Sequence, residues 1–188
     1  MAFYRGFKSD AARRADKFRA ELGLAGLDRF EPFAAAKSLG ISVCCLDDYS
    51  PKVLSAEQLR VLRVGGRAFS AVTVFRGEER RIIYNDAHSP ERTASNIAHE
   101  ISHALLNHPP HYAFDATGCR FIDRDLEEEA AFLAGALLVT EETALWVASS
   151  GIDVPAAALR YGVSAEMLTY RLNITGARRR VAARRRTA

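Results

Sequence analysis

The sequence predicts an α+β domain that is mainly helical, with a small antiparallel sheet and a C-terminal pair of helices arranged like a helix-turn-helix. Three observations carry this expectation. Apolar residues at helical spacing, with matching start and stop signals, recur along most of the 188 residues. Only three short stretches are β-branched enough to read as strands. Near the C-terminus, Tyr161-Gly162-Val163-Ser164 separates two short helical stretches, with Ser164 placed to cap the second.

Asp10 to Leu22 spaces its apolar residues as an amphipathic helix. Pro32 opens a second helix over Phe33 to Ser38, which Gly40 ends. Ile41 to Leu46 reads as a strand. Ser55 caps a helix through Glu57 to Leu62, before Gly65-Gly66 breaks it. Ala71 to Phe75 and Arg81 to Tyr84 form a hairpin around Gly77. Ser89-Pro90-Glu91-Arg92 has the grammar of a helix start, and Pro109-Pro110 marks the end of that helix. After a loop through Gly118, a helix runs from about Arg124 to Val139, and another begins at Thr140 and continues through Trp146. Pro155 to Arg160 and Ala165 to Leu172 make the terminal pair, expected as packing elements in preference to a DNA reader. The chain therefore divides into a domain over 1–150, a helical pair over 151–176 packed on it, and a basic, disordered tail over 177–188.

Composition narrows the class. Hydrophobic residues at 48% and charged residues at 26% suit a globular domain. No apolar run approaches a membrane span, and Met1 to Asp10 lacks the apolar core of an export signal. Cys44, Cys45 and Cys119 have no zinc-type spacing, and the expected compartment is the reducing cytoplasm. The formal charge of +3 is uneven. Six arginines lie between Arg178 and Arg186, and without them the remainder stands at −3. The basic character therefore belongs to the tail, and nucleic acid is not expected as a direct ligand.

His99-Glu100-Ile101-Ser102-His103 carries the chemistry. Residues four apart on a helix share a face, so His99 and His103 can offer two imidazole nitrogens to one metal ion. Glu100 lies one residue round, close enough to act on a metal-bound water without ligating. The flanking Ile97, Ala98, Leu105 and Leu106 are apolar, and buried polar groups need partners. A third ligand is required. A histidine six residues after His103, following a glycine at the third, would be one solution, but those positions hold Pro109 and Leu106. The other solution is a carboxylate from Glu127-Glu128-Glu129, one helix downstream.

Tyr84-Asn85, Arg92, the run Asn96 to Leu106, and Glu127 to Ala130 with Phe132, Ala134, Leu137 and Leu138 together resemble the ImmA/IrrE family of metallopeptidases. The chain departs from that pattern at Ala131, Leu133 and Thr140, where Asn, Phe and Pro are usual. The resemblance implies a zincin-like metallopeptidase domain with Zn²⁺ as cofactor. His99, His103 and Glu127 would be the metal ligands, with Glu128 as the fallback, and Glu100 the catalytic residue. His108, His111 and Tyr112 are the nearest candidates in sequence for an oxyanion donor, each expected as a loop residue, so no oxyanion donor is assigned. The resemblance also implies a protein substrate, a helix-turn-helix transcriptional repressor; no membrane partner is expected, from the lack of a long apolar run. The competing expectations are a non-hydrolytic antirepressor with a structural metal, and a DNA-binding regulator.

Overall fold

The computed structural model describes residues 3–49, 53–64, 69–77, 79–109 and 123–187. Its elements run in chain order as helices α1 (Phe7–Glu21) and α2 (Pro32–Ser38), strand β1 (Ser42–Cys45) with a 3₁₀ turn (Leu46–Tyr49), and helix α3 (Ala56–Val64). Strands β2 (Ala71–Arg76) and β3 (Glu79–Tyr84) follow. Helices α4 (Pro90–Leu105), α5 (Arg124–Leu138), α6 (Glu141–Ser150), α7 (Val154–Tyr161), α8 (Ala165–Ile174) and α9 (Ala177–Thr187) complete the fold. It is the α+β architecture the sequence predicts.

The sheet is mixed. β2 and β3 pair antiparallel from Ala71 opposite Tyr84 to Arg76 opposite Glu79, as the hairpin signal requires. β1 then joins β3 in parallel, Ser42 opposite Arg81 through Cys45 opposite Tyr84. Among the described residues the strand order β1-β3-β2 leaves β2 at one edge. Asn85, buried just after β3, donates to the carbonyls of Leu62 and Phe69 and accepts from the Ala87 amide, which ties α3 and the approach to β2 onto the sheet.

Helix α4 lies between this sheet and α5, and α2 packs on it as well. Its start is as expected: Ser89 is the N-cap, its hydroxyl accepting from the Arg92 amide, with Pro90 in the first turn. Thr93, Ile97 and Ile101, with Ala98 and Ser102, are buried at four-residue spacing. Helix α5 is the core helix. From Phe132 to Leu138 every residue is buried, and α1, α4 and α8 pack around it. Gly162, at φ 64, turns the chain between α7 and α8, and Ser164 caps α8. α8 is held by α5, α6, α7 and α9, with Leu168 and Leu172 buried, so its inner face is a packing surface.

Two buried arginines hold the C-terminal end of α5, where carbonyls lack helical partners. Arg19, only 2% exposed, donates from Nη1 to the Leu137 carbonyl at 2.8 Å. Its Nη2 reaches the Ala25 and Asp28 carbonyls at 2.9 and 2.6 Å. Arg171 donates from Nε to the Val139 carbonyl at 2.9 Å, and burial lowers its pKa to about 10. Its stem crosses Gly135, where an added Cβ would sit 3.1 Å from Arg171 Cδ. A glycine in mid-helix costs about 1 kcal/mol, and here it makes room for the guanidinium.

In the segment 177–188, expected as a disordered tail, the described residues 177–187 instead form α9. Ala177 is buried and Val181 half-buried, four residues apart, so one narrow stripe attaches the helix to α6 and α8. Arg180 pairs with Glu141, and Arg185 donates to the Ser149 carbonyl at 3.1 Å. The six arginines are thereby displayed at helical spacing. Among the described residues no single helix is long and apolar enough to cross a membrane.

Replacing Arg19 by Met leaves one buried and two part-buried carbonyls without this donor, at about 1–3 kcal/mol for a buried one and less for the others, partly offset by removing a buried charge. The expected net loss is roughly 3 kcal/mol, read as a lower urea midpoint at unchanged slope. An unchanged midpoint would show that those carbonyls find other donors.

Candidate metal centre

His99 and His103 stand one turn apart on α4, each partly buried, and Glu127 projects from the first turn of α5. Asp123 caps that turn, accepting from the Asp125 and Leu126 amides, so the position of Glu127 is fixed from below by the helix start. His99 Nε2 lies 3.1 Å from Glu127 Oε2, His103 Nε2 lies 3.0 Å from His99 Nε2, and His103 Nε2 lies 3.5 Å from Glu127 Oε1. One donor atom from each of the three residues falls within 4.8 Å of the others, and among the described residues no other such cluster of His, Cys, Asp or Glu forms. Glu128 takes no part in it.

The donor set fits one metal ion. Donors bound tetrahedrally at 2.0–2.1 Å stand about 3.3 Å apart, within the spread of separations here. A proton shared between two of these atoms satisfies a single pair at a time, whereas one cation engages all three. Two imidazoles and a carboxylate also leave a fourth tetrahedral position for water.

Glu100 points toward the sheet. Its Oε2 accepts from the Thr73 hydroxyl at 2.6 Å, across to the middle of the edge strand β2. Burial pushes the Glu100 carboxyl above the ordinary carboxylate range, while the Thr73 bond and the His99 imidazole pull it back. Thr73 is a residue that sequence reasoning missed. Nothing in a β-branched run marks which hydroxyl will meet a helix twenty-seven residues on.

His108 does not face the open side of the cluster. It lies behind His103, its side chain 5% exposed, with Nδ1 at 3.0 Å from His103 Nδ1 and Nε2 at 3.3 Å from Glu129 Oε2. That placement removes it from the oxyanion candidates. His111 and Tyr112, the other two, lie outside the described residues, as does Cys119. Of the departures from the family pattern, Ala131 is exposed one turn beyond Glu127, and Leu133 is core. Thr140 caps α6, and its hydroxyl lies 2.9 Å from the Gly26 carbonyl. It supplies a tether that proline could not.

No curated protein matches this chain. A family model described as the IrrE N-terminal-like domain, peptidase M78, matches residues 36–173, from within α2 through most of α8. The match spans the paired histidines, Glu127 and the sheet that bears Thr73, so the cluster lies in the part of the chain that a metallopeptidase family describes. The chain belongs to the peptidase M78 family of IrrE N-terminal-like domains.

Proposed function

We propose that the chain is a zinc-dependent endopeptidase that acts on a regulatory protein, a helix-turn-helix transcriptional repressor. The observation that carries the hydrolytic reading is the convergence of His99, His103 and Glu127 beside a half-buried glutamate that is not among them. A structural zinc site usually carries four protein ligands and needs no neighbouring carboxylate. This favours hydrolysis over a metal that only braces an antirepressor.

His99 and His103 would hold the ion through Nε2 and Glu127 through its carboxylate. When bound, zinc would polarise the scissile carbonyl and acidify its water. Glu100 is the proton carrier. Its raised pKa suits a group that takes a proton and returns it to a leaving amine. The Thr73 hydroxyl engages Oε2, which leaves Oε1 to take the proton and fixes the plane of the carboxylate.

β2 supplies the substrate's track. It is an edge strand whose midpoint already touches Glu100, so an extended segment adding beside it would run past the proposed base. Such addition needs an extended chain, which a linker or exposed loop of a repressor provides and a packed helix does not. The repressor itself is what the ImmA/IrrE resemblance implies. The free Cys44 and Cys45 fit a reducing cytoplasm as the setting.

Glu100→Gln should retain zinc and lower cleavage of a helix-turn-helix repressor encoded beside its gene by at least about 10²-fold. Intact-mass spectrometry of the two purified proteins reads this directly. Inactivation of the repressor by the variant at the wild-type rate would sink the peptidase reading. Thr73→Val keeps the strand's shape and removes one hydrogen bond to a charged group, so kcat should fall roughly tenfold with zinc content unchanged.

A further inference from the structure

We infer that His108 and Glu129 form a carboxylate–imidazole relay that sets the tautomer and orientation of His103 and so tightens metal binding; this rests on the metal-ligand reading above. Three contacts in series define it: Glu129 Oε2 to His108 Nε2 at 3.3 Å, His108 Nδ1 to His103 Nδ1 at 3.0 Å, and His103 Nε2 into the donor cluster.

The protons along this line follow from the end that can only accept. An ionised carboxylate has no proton to give, so the contact to Glu129 places the His108 proton on Nε2. Neutral His108 then presents a lone pair at Nδ1. The 3.0 Å contact between the two Nδ1 atoms needs one proton, and His103 supplies it. His103 is thereby left with a lone pair at Nε2, the atom 3.0 Å from His99 Nε2 and 3.5 Å from Glu127 Oε1. The relay turns a ring with two available tautomers into a committed metal donor, and its carboxylate end makes that donor more basic.

The backbone is built to make these contacts. After Leu106 the chain enters the left-handed region at Asn107, φ 55, the one non-glycine residue with positive φ among those described. The Asn107 amide bonds the Ala104 carbonyl at 3.2 Å, and the His108 amide bonds the His103 carbonyl at 3.0 Å. This paired closure ends a helix by folding its next residue back over the last turn. It brings His108 over the ligand five residues earlier. Asparagine tolerates the conformation, and Pro109 prevents the helix from continuing. From α5, Glu129 meets His108 on the side of His103 away from the cluster, two residues beyond the ligand Glu127. The His108 side chain is 5% exposed and that of Glu129 19%, so the contacts are shielded from solvent competition.

The test measures Zn²⁺ affinity of the full chain by competition with a chromophoric chelator, and ligand geometry from the visible spectrum of the Co²⁺ form. His108→Phe preserves a buried ring and should weaken Zn²⁺ binding about 10–100-fold with an altered Co²⁺ spectrum. Glu129→Gln keeps an acceptor oxygen and loses the charge, and should weaken binding less. Because both act through one imidazole, the double variant should bind within about twofold of H108F alone. N107G preserves the backbone turn and should bind as wild type. If H108F loses its near-ultraviolet dichroism, E129L carries the test, with about tenfold weaker binding expected. His99→Ala is the control for the ligand reading. Loss of binding in H99A with wild-type affinity in H108F, or in E129L where H108F does not fold, overturns the relay alone. Full additivity of H108F and E129Q also overturns it. Wild-type affinity in H99A overturns the ligand reading itself.

Discussion

The candidate centre depends on the seam along which α4 lies against α5. Two of its donors come from one helix and the third from the other, so their separation is the separation of two packed axes. Both helices bury small residues, Ala98 and Ser102 on α4 and Ala130 and Ala134 on α5, and small side chains let helices approach closely. A bulkier residue along either face would open the distances among His99, His103 and Glu127 before it disturbed any local helix. The sheet holds α4 from the other side, so the histidine helix is located by packing on two faces.

α5 is then held at both ends by opposite chemistry. Its first turn gathers Asp123, Asp125 and Glu127, where the helix dipole favours negative charge. Its last carbonyls receive the buried guanidinium groups of Arg19 and Arg171, where the dipole favours positive charge. Burying two arginines is expensive, and each has one buried nitrogen without a partner, Arg19 Nε and Arg171 Nη1. The cost is offset by fixing α5 along its own axis from α1 and α8, elements remote from it in sequence. A slip of α5 by one turn would move Glu127 about 5.4 Å and out of reach of both histidines.

The parts of the site that were legible in the sequence are those whose logic is local. His99, Glu100 and His103 sit within one helical turn and a half, so spacing alone places them together. Glu127 was reachable through a second motif that resembles a known family. Thr73, and the contact of His108 with Glu129, were not, because each joins segments whose relative placement only the fold decides. The buried arginines escaped for a related reason: Arg19 lies 118 residues from the carbonyl it caps, and patterns of hydrophobicity count arginine as solvated. The same bias hid α9, whose attachment is a stripe of Ala177 and Val181 among six arginines. β1 was legible as a strand but not in its direction, since four residues carry no signal for parallel against antiparallel pairing.

Among the described residues β2 is an edge strand beside the candidate metal centre, and such a strand can offer its amides and carbonyls to another copy of the chain. β2 presents Val74 and Phe75 at 39% and 41% exposure, the composition that promotes stacking of sheets. What opposes it is charge. Arg76 closes the strand, Arg80 lies over the Phe75 ring at 5.5 Å, and Arg81 stands on the adjoining strand. Two such edges brought together would crowd like charges, and the strand is only six residues long. The arginines around β2 therefore act as a guard against self-association along this edge.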